Sequence, residues 1–529
     1  MPNTVQSPVR RRRPVLRVVG LAALGTALVY AGAAIFLSTR PVVISLDAVQ
    51  QFRQSLPTPA TPEDAAWPAY RDALIAMGRE TAVGFKDQAV TNALGAWPGS
   101  NDWPVLAAWV DANQPAFAAA RLASRRPMLG FPVGQGFTGK DAAFFAGVAV
   151  PEELGTEPSN REHFPMLAVG MPQLGCMRAL AMALQADLFR AAEQGDGERA
   201  TQDLEAIVAV SNHVPEGRIL IADLVGLAIR HVATMSTTAV LEWKGGIFTD
   251  DQLRRLQAAL RSVPAALDRL DLSAERLAFQ DVVQRTFSDD GQGDGWFVPT
   301  SGQLRMGRWI EQTSPQARAA RPSPWTFLAF HGATRPLVVF AVAGRRESLE
   351  HYDAFTRGVE QASTVPLRQA VAWEDGPGSS GQPGVPAVDS PNRYFLESLM
   401  GPALSKAAVN VAMGRALREA ACVAIAAEQF RRANGAWPKS AEQLAPFLGG
   451  TVPMDPLADG PIRMATDPDG FRMWSIGRDG KDDGGNLHPT PRPGVSAPSV
   501  NTPEAPAADG TTVDWVWFAP RGSLERWGN

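Results

Sequence analysis

A glycine-rich segment at residues 134–140 is the first stretch whose residue types suggest chemistry. It reads Gly-Gln-Gly-Phe-Thr-Gly-Lys, which satisfies the GxGxxG pattern of dinucleotide sites and most of the GxxxxGK loop that holds phosphate. The phosphate loop needs a Ser or Thr after its lysine to reach Mg²⁺, but Asp141 stands there and its charge repels phosphate. Pro127 and Pro132 just before the segment also make a poor central strand. We therefore predict that the chain binds no nucleotide.

Histidine and serine patterns give no catalytic residue. The six histidines are His163, His213, His231, His331, His351 and His488. They form no HExxH motif or other metal pair, and no GxSxG turn is present. The sequence thus favours a non-enzymatic protein. A hydrolase with an unrecognised active site is the alternative, and a cleft with converging acids or a His-acid pair would favour it.

Charge and cysteine content restrict the partners further. The 529 residues carry a formal net charge of -4, with a pI near 6.0, so we expect no nucleic-acid partner. Cys176 and Cys422 lie far apart in predicted helices. Two buried thiols are the expected state, and a long-range disulfide in an oxidising compartment is the alternative.

The N-terminal segment predicts the location of the protein. A basic stub, residues 1–14, contains four consecutive arginines, Arg10 to Arg13, and an uncharged apolar run follows from Val18 to Leu37. About twenty helical residues span a hydrocarbon layer of ~30 Å. We therefore predict a transmembrane signal anchor at residues 15–38. Because positive charge stays inside, the stub faces the cytoplasm and the bulk of the chain lies outside the bacterial inner membrane.

Two other interpretations of this segment stay open. Ala31-Gly32-Ala33 resembles the cleavage site of a signal peptide, although the apolar run continues past it. The Arg12-Arg13 pair also fits a twin-arginine export signal.

Residues 41–372 predict an exported, mainly α domain built as an array of helical hairpins. A helical pattern after Cys176 stops at Gly195-Asp196-Gly197, and a second helix returns from Ala200. Thr249 to Gln252 has the form of a capping box and predicts the start of another helix. The region from 373 to 393 is dense in Gly, Pro and Ser, which indicates a flexible linker and a domain boundary.

Residues 394–529 carry several short motifs in a recognisable order. A long helix from Ala403 to about Ala433 precedes Asn434-Gly435-Ala436-Trp437-Pro438 and a short helix at 440–444. An Asp455-Pro456 turn, a strand at 471–476 and the glycine- and aspartate-rich loop 477–485 follow. This order resembles the C-terminal domain of the major pseudopilin of type II secretion systems. The resemblance implies a small α+β domain, here with a predicted disordered insert at residues 487–511.

The same resemblance implies a calcium site. In that family the ligands are loop oxygens, which suit Ca²⁺. The matching positions are the carbonyl of Ile476 and the carboxylates of Asp479 and Asp514, and Asp482 or Asp483 is a local substitute. A solvated acidic turn without metal is the alternative. The N-terminus lacks the short leader, Gly-Phe cleavage point and early Glu of a pseudopilin, so assembly into a fibre by that route is not expected.

These observations predict a single-pass membrane protein, attached through residues 15–38. Its expected role is an extracytoplasmic scaffold or interaction protein of the bacterial envelope, with a protein partner there and an association with secretion or pilus-like machinery.

Overall fold

The computed structural model describes residues 13–38, 41–146, 148, 165–298, 342–374, 393–467, 470–477, 480–485 and 514–520. Within them the chain is mainly helical, with a small three-stranded antiparallel sheet near the C-terminal end, so the predicted mainly α class is confirmed at this level. The helices are α1 (Arg13–Ser38), α2 (Ala48–Ser55), α3 (Trp67–Ala76), α4 (Gln88–Ala93), α5 (Trp103–Ala112), α6 (Gln114–Ser124), α7 (Gly139–Phe144), α8 (Gln173–Gln194), α9 (Gly197–His213), α10 (Leu220–Lys244), α11 (Asp250–Arg261), α12 (Ser273–Thr286), α13 (Arg345–Ala362), α14 (Leu367–Glu374) and α15 (Phe395–Asn434). The strands are β1 (Arg463–Asp467), β2 (Gly470–Ser475) and β3 (Trp515–Phe518).

Helix α1 presents large apolar side chains that no other part of the described chain covers. Val19, Leu24, Leu28 and Val29 are between 57% and 75% exposed. The hydrophobic core clusters of the described residues contain none of its side chains. An apolar helix normally buries at least one face, so α1 differs from every helix of the body.

Helices α8, α9 and α10 form the centre of the molecule. Gly195, at φ +77°, ends α8 in the left-handed conformation that glycine adopts readily. The carboxylate of Asp196 then accepts a hydrogen bond from the Arg199 N–H and caps α9, which packs back against α8. The predicted turn and return helix are thus present. Whether the helices repeat as an array of hairpins stays a prediction.

Helix α11 begins where its capping box predicts. The Thr249 N–H donates to Gln252 Oε1 over 2.8 Å, and the Gln252 N–H donates to Thr249 Oγ1 over 3.2 Å. This reciprocal pair satisfies two backbone donors of the first turn, which otherwise lack partners.

Two described stretches, Met166–Gln194 and Leu220–Ile247, have the length and hydropathy needed to cross a membrane, and Val19–Ala33 is a shorter apolar stretch. The two longer stretches contain α8 and α10. More than half of the most apolar part of each is buried within the protein. Core helices of soluble domains pass the same test, and α8 and α10 pack here as core helices.

The C-terminal segment packs directly on the helical body. Helix α15 contacts α10, α11 and α14. It starts at Phe395, earlier than the predicted start near Ala403, and continues through Gly401-Pro402. One hydrophobic cluster extends from Ala66 to Phe518. Most of the predicted linker, residues 375–392, lies outside the described part of the chain, and the proposed domain boundaries stay predictions.

The sheet consists of β1, β2 and β3 in that order, with both pairs antiparallel. Strand β2 matches the strand predicted at 471–476, whereas β1 was not predicted. The Trp437 ring stacks on Phe471 at 4.7 Å between centroids, so the turn after α15 is held against the sheet. The predicted short helix is a 3-10 helix, Ala441–Leu448.

Candidate functional site

The glycine-rich segment at 134–140 leads into α7, and its charged residues pair with α3. Asp141 Oδ1 accepts hydrogen bonds from Arg71 Nη1 at 2.7 Å and from Trp67 Nε1 at 2.9 Å. Lys140 Nζ donates to Asp72 Oδ2 at 3.0 Å. These ion pairs attach the first turn of α7 to α3.

Three of the six histidines, His213, His231 and His351, lie in the described residues. His213 is buried, with Nδ1 3.0 Å from the Tyr70 hydroxyl and Nε2 2.9 Å from the Arg126 carbonyl. Since a carbonyl only accepts, Nε2 carries the proton and the Tyr70 hydroxyl donates to Nδ1. Burial lowers the pKa of His213 to about 4, so the ring is neutral and both nitrogens have partners. His213 therefore acts as a structural residue.

A cleft of about 570 Å³ opens beside His213, where α9, the following turn and α10 meet the segment before α12. This volume lies within the range of small-molecule sites. Its lining is strongly charged. The basic lining residues are Arg126, Arg218, Arg230 and Arg269, and the acidic ones are Glu216, Asp223 and Asp271.

Two acids of the cleft have strongly raised pKa values. Glu216 accepts hydrogen bonds from the Leu129 N–H at 2.8 and 2.9 Å, but burial dominates and raises its pKa to about 7. Burial also raises the pKa of Asp223 to about 8, aided by the negative charges of Glu275 and Asp271. Near neutral pH the Asp223 carboxyl is mostly protonated. Titratable groups with shifted pKa values inside a cleft mark candidate functional sites.

Arg230 is the most unusual cation of the cleft. Arg230 is only 3% exposed. Its Nη1 donates one long hydrogen bond, of 3.4 Å, to the Leu267 carbonyl. Nε has no hydrogen-bond partner, and the same is true of Asn212 Oδ1 in the cleft wall. Burial lowers the pKa of Arg230 to about 10, which still leaves it charged at neutral pH.

The sequence analysis did not identify this cleft. Its walls come from residues far apart in the chain, between Pro57 and Val411. One signal was available: Asp223 and Arg230 are charged residues seven positions apart on the same face of α10, whose first ten residues are otherwise apolar.

A His-acid pair lies away from this cleft, between α13 and the start of α15. His351 Nδ1 is 2.6 Å from Glu397 Oε2, and the His351 ring stacks on Tyr394 at 3.8 Å between centroids. The adjoining cavity, which Glu397 lines, has a volume of about 10 Å³. It has room for about one water molecule and none for a substrate.

The structure brings Asp482 into an ion pair rather than leaving it open to a metal. Its carboxylate accepts hydrogen bonds from Arg463 Nε at 2.8 Å, from Trp474 Nε1 at 3.0 Å and from the Gly484 N–H at 3.1 Å. Asp483 lies beside it in the same loop. Asp479, the central predicted ligand, lies outside the described residues.

Asp514 is buried beside the loop at residues 480–485. The residue is 1% exposed, Oδ2 accepts a hydrogen bond from the Gly485 N–H at 2.7 Å, and Oδ1 has no partner. The Ile476 carbonyl oxygen lies 3.1 Å from Ser475 Oγ, whose single proton is donated to the nearer Asp455 Oδ1. The described residues contain no group of three His, Cys, Asp or Glu side chains arranged for a metal ion. Asp514 Oδ1 keeps free acceptor capacity, whereas the Asp482 carboxylate is taken up by Arg463, Trp474 and Gly484, so the calcium site stays a prediction.

Asp455, from the predicted Asp455-Pro456 turn, is the residue that organises this end of the sheet. Its buried carboxylate accepts hydrogen bonds from Ser475 Oγ at 2.5 Å and from the Ile476 N–H at 3.0 Å, and it pairs with Arg463 at 2.8 Å. The motif was noted in the sequence, but this structural role was not.

Cys176 and Cys422 are both buried free thiols, and burial raises the pKa of each. No family model, curated protein or solved structure matches this chain.

Proposed function

We propose that the protein is a single-pass protein of the bacterial inner membrane, with α1 as its permanent anchor and its helical body on the extracytoplasmic side. The observation that carries this proposal is the uncovered apolar surface of α1. Leu21, Leu28 and Val29 are each at least 65% exposed. Burying such a side chain in lipid contributes roughly 1.5–3 kcal/mol, so several of them favour insertion strongly.

The orientation follows from charge. Arg10, Arg11 and Arg12 precede α1 and Arg13 is its first residue, whereas Arg40 is the nearest basic residue after it. This asymmetry favours a cytoplasmic N-terminus.

We propose a non-enzymatic role for the body, as a scaffold or interaction protein that binds a protein partner in the envelope. Support comes from the mainly helical body, which offers long surfaces for partners. The motif order of the C-terminal segment supports an association with secretion or pilus-like machinery. Calcium, held by Asp514, the Ile476 carbonyl and Asp479, is proposed to stabilise that segment.

Cysteine labelling tests the topology on the full chain. The native cysteines are buried, whereas Val83 is 75% exposed and Gln6 lies in the basic stub. We expect a membrane-impermeant maleimide to label Val83→Cys in intact spheroplasts and Gln6→Cys only after lysis. Labelling of Gln6→Cys in intact spheroplasts would overturn the topology. Co-purification after gentle solubilisation then identifies the partner.

A hydrolase remains the second candidate, and one observation favours it. Glu216 and Asp223, with pKa values raised to about 7 and about 8, line the same cleft. Carboxyl groups that titrate near neutral pH are suited to general acid–base catalysis. Hydrolysis of ester, glycoside or peptide substrates by the wild-type protein, lost in Glu216→Gln and Asp223→Asn, would support it.

A further inference from the structure

We propose that the cleft beside α10 is a binding site for a small molecule with an oxyanion group, a carboxylate or a phosphate, and that Arg230 binds this group. The inference does not depend on the membrane anchor or on the scaffold role. It rests on the geometry around Arg230.

Arg230 is a buried cation that forms no ion pair with the described residues, and the charge of Asp268 acts on it only from farther away. The described residues place no carboxylate within ion-pair distance of its guanidinium, and its one hydrogen bond to the protein is the 3.4 Å contact with Leu267. Leaving a buried charge unpaired is costly, so buried arginines are normally paired. The Arg230 guanidinium therefore has N–H groups without an acceptor in the protein, and a ligand in the cleft would accept hydrogen bonds from them.

Two neighbouring arginines, unlike Arg230, have more than one hydrogen-bond acceptor within the protein. Arg418 makes two hydrogen bonds to the Asp268 carboxylate, at 2.7 and 2.6 Å. Arg415 donates to three backbone carbonyls, those of Asp268, Ser363 and Val365. Asp268 is thus already occupied by Arg418, and Arg230 differs from both neighbours.

The remaining charges of the cleft favour an anion. Arg126, Arg218 and Arg269 add positive charge around Arg230, against the negative charge of Asp271 and of Glu216, whose pKa of about 7 leaves it partly ionised at neutral pH. The carboxyl of Asp223, on the same helix as Arg230, is mostly protonated at neutral pH and does not neutralise it. A planar guanidinium matches the oxygens of carboxylate and phosphate groups, which makes these the preferred ligand groups.

The size of the cleft indicates more than a bare ion. A volume of about 570 Å³ accommodates a metabolite-sized molecule. Asn212 supplies a further polar contact, because its Oδ1 is buried in the wall without a partner. We infer a ligand whose oxyanion contacts Arg230 and whose neutral polar groups contact Asn212.

The experiment uses the full chain, purified in detergent, with inorganic phosphate and succinate as separate probes at constant ionic strength. Isothermal titration is expected to give saturable binding of at least one probe. Binding of phosphate alone points to a phosphate ester, and binding of succinate alone points to a carboxylate. The Arg230→Met variant should lose at least about tenfold in affinity, as for a hydrogen bond to a charged group.

Two further variants control for folding and for charge. Replacing an unpaired buried cation with an apolar side chain of similar length should leave the melting temperature of Arg230→Met equal or higher. Arg230→Lys keeps the charge and should bind with intermediate affinity. Arg254→Gln, which removes an arginine with a 68% exposed side chain, should bind like the wild type. No saturable binding of either probe by the wild type, or unchanged affinity in both Arg230 variants, would overturn the proposal.

Discussion

The backbone N–H of Ala519 donates a 2.6 Å hydrogen bond to Oε1 of Glu242, a residue 277 positions earlier in the chain. Glu242 lies in α10 and is 3% exposed, and Ala519 directly follows β3. This contact attaches the end of the sheet to the central helix of the body. It joins two segments that the sequence analysis assigned to separate domains.

Removing this acceptor should destabilise the full chain. Glu242→Ala leaves a buried N–H without a partner, which costs about 1–3 kcal/mol of the free energy of unfolding. Glu242→Gln keeps a carbonyl acceptor at the same position and should lose less. Urea denaturation of both variants in detergent measures the difference, and equal stability of Glu242→Ala and wild type would contradict the contact.

A second prediction concerns Arg121, which links two buried acids. Its Nη1 lies 2.6 Å from both Asp187 Oδ2 and Asp203 Oδ1, and both aspartates are fully buried. Arg121→Met removes the ion pair of Asp203 and leaves Asp187 with the longer pair to Arg199, at 3.4 Å, so the free energy of unfolding should fall by about 3–5 kcal/mol. The matched control is Arg254→Met in the exposed pair with Asp251, expected to change stability by less than about 0.5 kcal/mol. Equal losses of stability in Arg121→Met and Arg254→Met would contradict the prediction that the buried ion pairs of Arg121 stabilise the fold more than an exposed pair does.

The third prediction is a pH dependence at Glu275, which caps the first turn of α10 by accepting a hydrogen bond from the Leu220 N–H. Burial raises its pKa to about 7. The folded state therefore binds the proton of the Glu275 carboxyl more tightly than the unfolded state does. The contribution of Glu275 to the free energy of unfolding is present at low pH and falls as pH rises from about 4.3 toward about 7.

Glu275→Gln tests this effect, because it keeps an acceptor and removes the titration. It also removes the charge that helps to raise the Asp223 pKa, which changes the relative stability in the same direction. Burial lowers the pKa values of His213 and His231, which acts in the opposite direction but equally in both proteins. Between about pH 5 and about pH 8 the melting temperature of Glu275→Gln should rise relative to the wild type by roughly 2 °C or more. A constant difference across this range would show that Glu275 does not titrate there.

A fourth prediction concerns calcium. If Asp514 and Asp479 hold Ca²⁺, calcium raises the melting temperature of the full chain, and Asp514→Asn and Asp479→Ala remove that increase. With chelator present, Asp479→Ala and the wild type should have the same melting temperature. Scanning calorimetry with calcium and with chelator measures both effects. Identical melting curves of the wild type with calcium and with chelator would contradict the calcium site.

Local features were the ones that could be predicted from the sequence. The capping box at Thr249 and the Gly195-Asp196 turn depend on residues within a few positions of one another, and both form as predicted. The Arg230 cleft depends on which side chains from distant segments meet, and on Asp268 being taken by Arg418. No local pattern carries that information. Strand β1 was missed because its Arg-Met-Ala-Thr-Asp sequence lacks a strong alternation and gains its partner only through β2.

The most direct test of the membrane anchor is alkaline carbonate extraction of cell membranes, followed by sequencing of the mature N-terminus. The account predicts that the full chain stays in the membrane pellet with its N-terminus upstream of Ala33, and that replacing Leu24 and Leu28 in α1 with glutamate releases it. Recovery of the wild-type protein in the soluble fraction, or a mature chain that begins at Ala34, would contradict it.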